Sequence, residues 1–108
     1  MELIKVVDHL NQSTSRLSKA TKEVFKLAKD RAETEREYRL ALSQEMFRLR
    51  DEGLPATMIP DLARGNISKL KYDRDLAMEL HRSAMRSISA LEVEVQAWQS
   101  ILRNLDEV

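Results

Sequence analysis

From Ile67 to Leu105 the chain repeats every seven residues in two interleaved rows. Ile67, Arg74, His81, Ile88, Val95 and Leu102 form one, and Leu70, Ala77, Ala84, Leu91, Trp98 and Leu105 form the other. Rows spaced alternately by three and four residues make a single stripe on a helix, and a heptad held this long predicts lengthwise packing against another helix. A second long segment precedes it, from about Asn11 or Ser13 to Glu52. Its apolar positions are Leu17, Ala20, Val24, Leu27, Ala28, Tyr38, Leu42, Met46 and Leu49, with Thr21 beside them. Their period drifts toward 3.6, and Arg31, Ala32 and Glu35 interrupt the stripe. Together the two segments predict an all-α, coiled-coil-like antiparallel hairpin whose long helices each span roughly 60 Å.

Punctuation divides the chain into an amphipathic start (1–12), helix one (13–52), an elbow (53–66) and helix two (67–106). At the start, Leu3, Ile4, Val6, Val7 and Leu10 make an apolar turn or two before Asn11-Gln12-Ser13-Thr14-Ser15, a run of capping residues. This predicts either one continuous helix or a short helix followed by a break. In the elbow, Gly53 is placed to end helix one in a left-handed conformation and Pro55 forbids its continuation. Thr57 is placed to cap a short helix that tolerates Pro60 in its first turn, Gly65 to end it, and Asn66 to cap helix two. Leu54, Met58, Ile59 and Leu62 are expected to plug the end of the hairpin.

A turn centred near Ile59 or Pro60 sets facing residues whose numbers add to roughly 119. Glu45 then meets Arg74, Tyr38 meets His81, and Glu35 lies near Ala84. Polar residues in a helical seam cost stability unless paired, and their best-attested use is to fix register. Glu45, Arg74, Tyr38 and His81 are therefore expected to lock the hairpin. The same alignment leaves Leu3, Ile4, Val6, Val7 and Leu10 with nothing of their own chain to cover them. Helix two carries a further stripe of Leu76, Leu80, Ser83, Ser87, Ala90 and Ala97. A two-helix hairpin also buries little apolar surface, so a homodimer or higher oligomer built on Leu3, Val6, Val7, Leu10, Leu76 and Leu80 is expected, forming a multi-helix bundle.

Composition supports this and narrows the chemistry. With 108 residues, 33% charged, 43% hydrophobic and only two glycines and two prolines, the chain reads as one domain of long helices. It has no cysteine, which excludes disulfides and zinc-thiolate sites. The start is too charged for a signal peptide, and no stretch approaches membrane-spanning length, so a cytoplasmic protein without a membrane partner is expected. Eighteen basic and eighteen acidic residues balance to zero, which disfavours generic nucleic-acid binding. Their distribution is uneven. Met1 to Asp30 holds six lysines and arginines against four acids, whereas Ser87 to Val108 has Arg103 against four acids, so charge also favours folding back.

Enzyme chemistry is not indicated. His9 and His81 lack metal-ligand spacing, the two glycines form no phosphate loop, and no serine has a base in a recognisable arrangement. No catalytic residue, metal or cofactor is expected.

The run Glu35-Arg36-Glu37-Tyr38-Arg39, the elbow Leu49-Arg50-Asp51-Glu52-Gly53-Leu54-Pro55 with Asp61-Leu62-Ala63-Arg64-Gly65, and Arg74-Asp75-Leu76 resemble small helical proteins encoded by phages and prophages of Gram-positive bacteria. The resemblance runs from about Glu33 onward. It implies a phage origin and a place in the bacterial host cytoplasm, and no particular activity. Three binding roles follow as alternatives. One is an inhibitor or adaptor that holds a host or phage protein, with Met58, Ile59 and Leu62 as the contact if exposed. Another is sequestration of an anionic or nucleotide-like ligand by Arg31, Tyr38, Arg39, Arg74 and His81, or by Arg64, Lys69, Lys71, Tyr72 and Arg74. The third is nucleic-acid binding along Lys19, Lys22, Lys26 and Lys29.

Overall fold

In the computed structural model, which describes residues 2–106 with the side chain of Asp106 excepted, the chain is an all-α helical hairpin. Met1, and Glu107 and Val108 of the acidic tail, lie outside the described residues. The helices are α1 (Leu3–Asp51), α2 (Ile59–Asn66) and α3 (Ser68–Asp106). No glycine or proline falls between Met1 and Glu52, and α1 accordingly runs unbroken through the Asn11 to Ser15 capping run. Thr14 and Thr21 turn their hydroxyls onto the carbonyls of Leu10 and Leu17, so the threonines bond within the helix instead of ending it.

Gly53 stops α1. It takes φ +84°, its N–H donates to the Arg50 carbonyl at 3.0 Å, and the Leu54 N–H donates to the Leu49 carbonyl at 3.3 Å. These are the paired bonds of a Schellman cap, completed by Leu54 packing back on the cluster of Leu49, Ile59 and Ala63. The other elbow caps differ from expectation. Met58, not Thr57, holds the N-cap position of α2, and no side chain caps it. Gly65 stays helical, and α2 ends on Ile67, whose N–H reaches the carbonyls of Ala63 and Gly65. The Ile67 carbonyl in turn accepts from Leu70 and Lys71, so α3 follows α2 after a single offset residue. Asn66 caps nothing; its side chain donates to Glu45 at 3.0 Å.

The chain divides into two compact units. In the unit Leu27–His81, Leu49, Ile59 and Ala63 form the core, with Leu42, Met46 and Leu54 against it. Because α2 already lies along the end of α1, the chain has reversed at Gly53 to Met58, before Ile59. That moves the register. Arg74 faces Tyr38 instead of Glu45, and His81 faces Arg31 instead of Tyr38, so each return position meets a residue one heptad earlier than the turn-centre estimate. The plug is also smaller than expected: Ile59 is buried and Leu54 half-buried, while Met58 and Leu62 are exposed.

The unit Met1–Lys26 with Arg82–Val108 follows the same shift. His9 stacks on Trp98 with ring centroids 4.4 Å apart and planes 3° from parallel, and Arg16 approaches Glu94 at 3.6 Å. Val6 is fully buried and Leu10 half-buried, so two of the five apolar start residues are covered by their own chain, contrary to expectation. Leu3, Ile4 and Val7 stay exposed.

The seam of α1 proves to be a heptad as regular as that of α3. Val6, Ser13, Ala20, Leu27 and Thr34, and Leu10, Leu17, Val24, Arg31 and Tyr38, are all buried or half-buried. Arg31 is a member of this stripe and does not interrupt it; Thr21 is exposed. The repeat slips by one position after Tyr38, where Leu42, Met46 and Leu49 turn to meet the elbow.

Candidate functional site

The unit Leu27–His81 gathers most of the sequence-predicted site residues. Heptad spacing directs Arg31, Tyr38, Arg74 and His81 into one seam. The Arg74 guanidinium lies 4.2 Å above the centre of the Tyr38 ring, and Tyr38 is only 5% exposed. A cation held on a ring face is worth about 0.5–2 kcal/mol, depending on how far it is desolvated. Arg74 also donates to Asp75 at 2.9 and 3.1 Å and approaches Glu35 at 3.7 Å. Asp75, chiefly through its bond to Arg74, raises the guanidinium's proton affinity further. Lys71, bonded at 3.0 Å, and then Arg74 hold the Asp75 carboxyl below the ordinary carboxylate value.

Arg31 contacts His81 Nδ1 at 3.1 Å. A guanidinium has only donors, so Nδ1 accepts and the imidazole proton in this arrangement sits on Nε2. Glu45 is held by Arg48 of its own helix and by Asn66 from α2, and these bonds, Arg48's the larger, lower its proton affinity. All four residues thus occupy the seam; Tyr38, Arg74 and His81 meet partners one heptad removed from those expected, and Glu45 meets Asn66 in place of Arg74. A cleft of about 420 Å³ remains among Ala28, Arg31, Glu35, Arg74, Met78 and His81. Its charged groups already bond one another.

The surface candidates for anion binding are each paired with a nearby carboxylate on the same helix. Arg39 bonds Glu35 at 2.6 Å, Arg64 reaches Asp61 at 3.4 Å, and Lys69 reaches Asp73 at 3.6 Å. Tyr72 is exposed, on the surface with Lys69. These residues form no single basic pocket. Among the described residues, no group of three His, Cys, Asp or Glu side chains is placed to hold a metal ion, and no helix is long and apolar enough to cross a membrane.

The larger cavity is one that the sequence reading missed. Beside the elbow, Leu42, Met46, Leu54 and Ile59 floor a groove of about 730 Å³, with Phe47, Ala56 and Pro60 along it and Arg39, Ser43 and Arg50 at its edge. Phe47 is 62% exposed and Met58, nearby in the elbow, 54%. A second groove, of about 250 Å³, has Leu27, Leu76, Ala77 and Leu80 as its floor and Asp30, Glu33, Glu37 and Asp73 around it, with Thr34. Both belong to the one unit, and their edges carry opposite charge. A signal was present in the sequence: both phenylalanines, Phe25 and Phe47, fall outside the seam rows, and a large aromatic off the buried stripe marks a surface with another use.

The sequence matches no family model, no curated protein and no solved structure.

Proposed function

We propose that this chain is a non-enzymatic binding protein of a phage or prophage, self-associating in the host cytoplasm and acting as an inhibitor or adaptor that holds a host or phage protein at the elbow. The observation that carries the reading is the elbow groove. Its floor is apolar, an exposed phenylalanine stands along it, and Arg39 and Arg50 flank it. Grooves of this kind accept one face of an amphipathic helix, and Arg50 at the edge favours a helix with an acidic residue beside its apolar anchors. The phage origin and the cytoplasmic setting rest on the resemblance of the elbow and its flanks to phage helical proteins.

The protein-binding reading is favoured over sequestration of an anionic ligand because Arg39, Arg64, Lys69 and Lys71 are each matched by a carboxylate on their own helix. Nucleic-acid binding along Lys19, Lys22, Lys26 and Lys29 has against it the zero net charge of the chain.

The test is capture of host proteins on the immobilised chain, run beside a Phe47→Asp variant, with native mass spectrometry for retained small molecules. A protein held by the wild type and released by the variant supports the elbow reading. A protein held equally by both, or a retained nucleotide with no protein, contradicts it.

A further inference from the structure

We propose that the acidic groove of the unit Leu27–His81 is the docking site for a second copy of this chain, and that its occupant is the partner copy's Phe25 with the lysines beside it. The inference rests on the self-association proposed above and names the surface that performs it. Leu76 and Leu80, two of the groove's floor residues, are 44% and 48% exposed, and Leu27 is half-buried between them and the seam. Apolar surface at this density is poorly covered by two helices alone.

The groove's edge selects the occupant. Asp30, Glu33, Glu37 and Asp73 surround it and no lysine or arginine lines it. Glu33 and Asp73 have only exposed same-helix partners, Lys29 at 3.9 Å and Lys69 at 3.6 Å, which compete weakly with a docked cation. The matching surface is on the chain itself. Phe25 is 72% exposed, with Lys22 one turn before it and Lys29 one turn after it along α1. An apolar knob flanked by cations fits an apolar hole edged by carboxylates. Such complementarity steers the encounter and excludes like-charged surfaces.

Docking also uses Leu76 and Leu80, two of the residues expected to oligomerise, and leaves the elbow groove open for a different protein.

Sedimentation equilibrium of the full chain, with Phe25→Asp and Leu80→Glu variants, tests the docking. Both positions are exposed, so each variant is expected to keep wild-type helicity by circular dichroism. The wild type is expected to dimerise and each variant alone to dissociate at least about tenfold more readily, as hot-spot residues do. Mixing the two variants is the discriminating arm. Phe25→Asp keeps an intact groove and Leu80→Glu an intact knob, so a mixed dimer retains one good contact and should form in preference to either homodimer. No preference for the mixed dimer overturns the docking. An oligomer unchanged in both variants also overturns it while leaving self-association standing, because the interface is then elsewhere. A monomeric wild type overturns both. A monomer whose groove instead retains a different protein, released by Leu80→Glu, assigns the groove to that partner and equally ends the proposal.

Discussion

At the elbow, Leu49, Ile59 and Ala63 close on one another with Leu42, Met46 and Leu54 against them; further back along α1 the same helix face meets α3 through Arg31, Glu35, Tyr38, Arg74 and His81. Both stretches belong to one unit and both are helix-on-helix packing. The apolar stretch supplies burial, which depends on area and tolerates a shifted neighbour if volume is kept. The polar stretch supplies little net energy and strong discrimination, because a one-heptad slip would leave Arg74, His81 and Arg31 in the seam without their partners. The expected division is that burial closes the hairpin at one place and the polar contacts align it at another.

The largest effect that would break this comparison lies at the elbow. Leu49→Ala should cost about 2–5 kcal/mol in urea denaturation, since the residue is 3% exposed and lies in the core that α1 shares with α2. A cost below about 1 kcal/mol would mean the elbow is not a core.

Arg74→Ala should cost less, about 1–2 kcal/mol for the lost ring contact. A double-mutant cycle with Tyr38→Leu should show that the two changes are not additive. Gly53→Ala comes next, at about 1 kcal/mol, because the left-handed φ of +84° strains a residue with a Cβ while the space around it is open. Equal stability of the variant would show that the turn relaxes.

The smallest effect is in acid. Lys71 and Arg74 lower the Asp75 carboxyl's pKa in the folded chain, so its contribution is present above the ordinary carboxylate pKa and is lost as pH falls through the folded value. Asp75→Asn should therefore flatten the stability profile below about pH 4, where carboxylates take up protons. A profile as steep as wild type's would remove Asp75 from the account.

The hairpin was legible because heptad spacing survives in the α3 rows even where Arg74 and His81 occupy them. In α1 the same repeat was harder to see. Ser13, Arg31 and Thr34 are stripe members by position but not by hydropathy, so the pattern read as drifting. Gly53 could be placed because a positive φ needs glycine, whereas Gly65 carries no such requirement and its helical state follows from α2 lying on α1. That packing is a tertiary fact, and it also displaced the register: no local signal says that a short helix after Pro55 already belongs to the returning arm. Polarity singled out Tyr38, Glu45, Arg74 and His81 as seam residues, and the partners of Tyr38, Arg74 and His81 were missed by the same one-heptad offset. The grooves, made of residues from different elements, have no sequence signature beyond two phenylalanines off the stripe.

Because the natural chain has no cysteine, introduced pairs report the alignment without interference. Glu45→Cys combined with Asn66→Cys replaces a 3.0 Å contact, while Glu45→Cys combined with Asp73→Cys probes the alignment one heptad away and leaves Tyr38, Arg74 and His81 in place. With a short thiol cross-linker at low protein concentration, the first pair should close within single chains and the second should stay open. Closure of the second pair with the first left open would contradict the register from which the seam, the elbow core and both grooves are built.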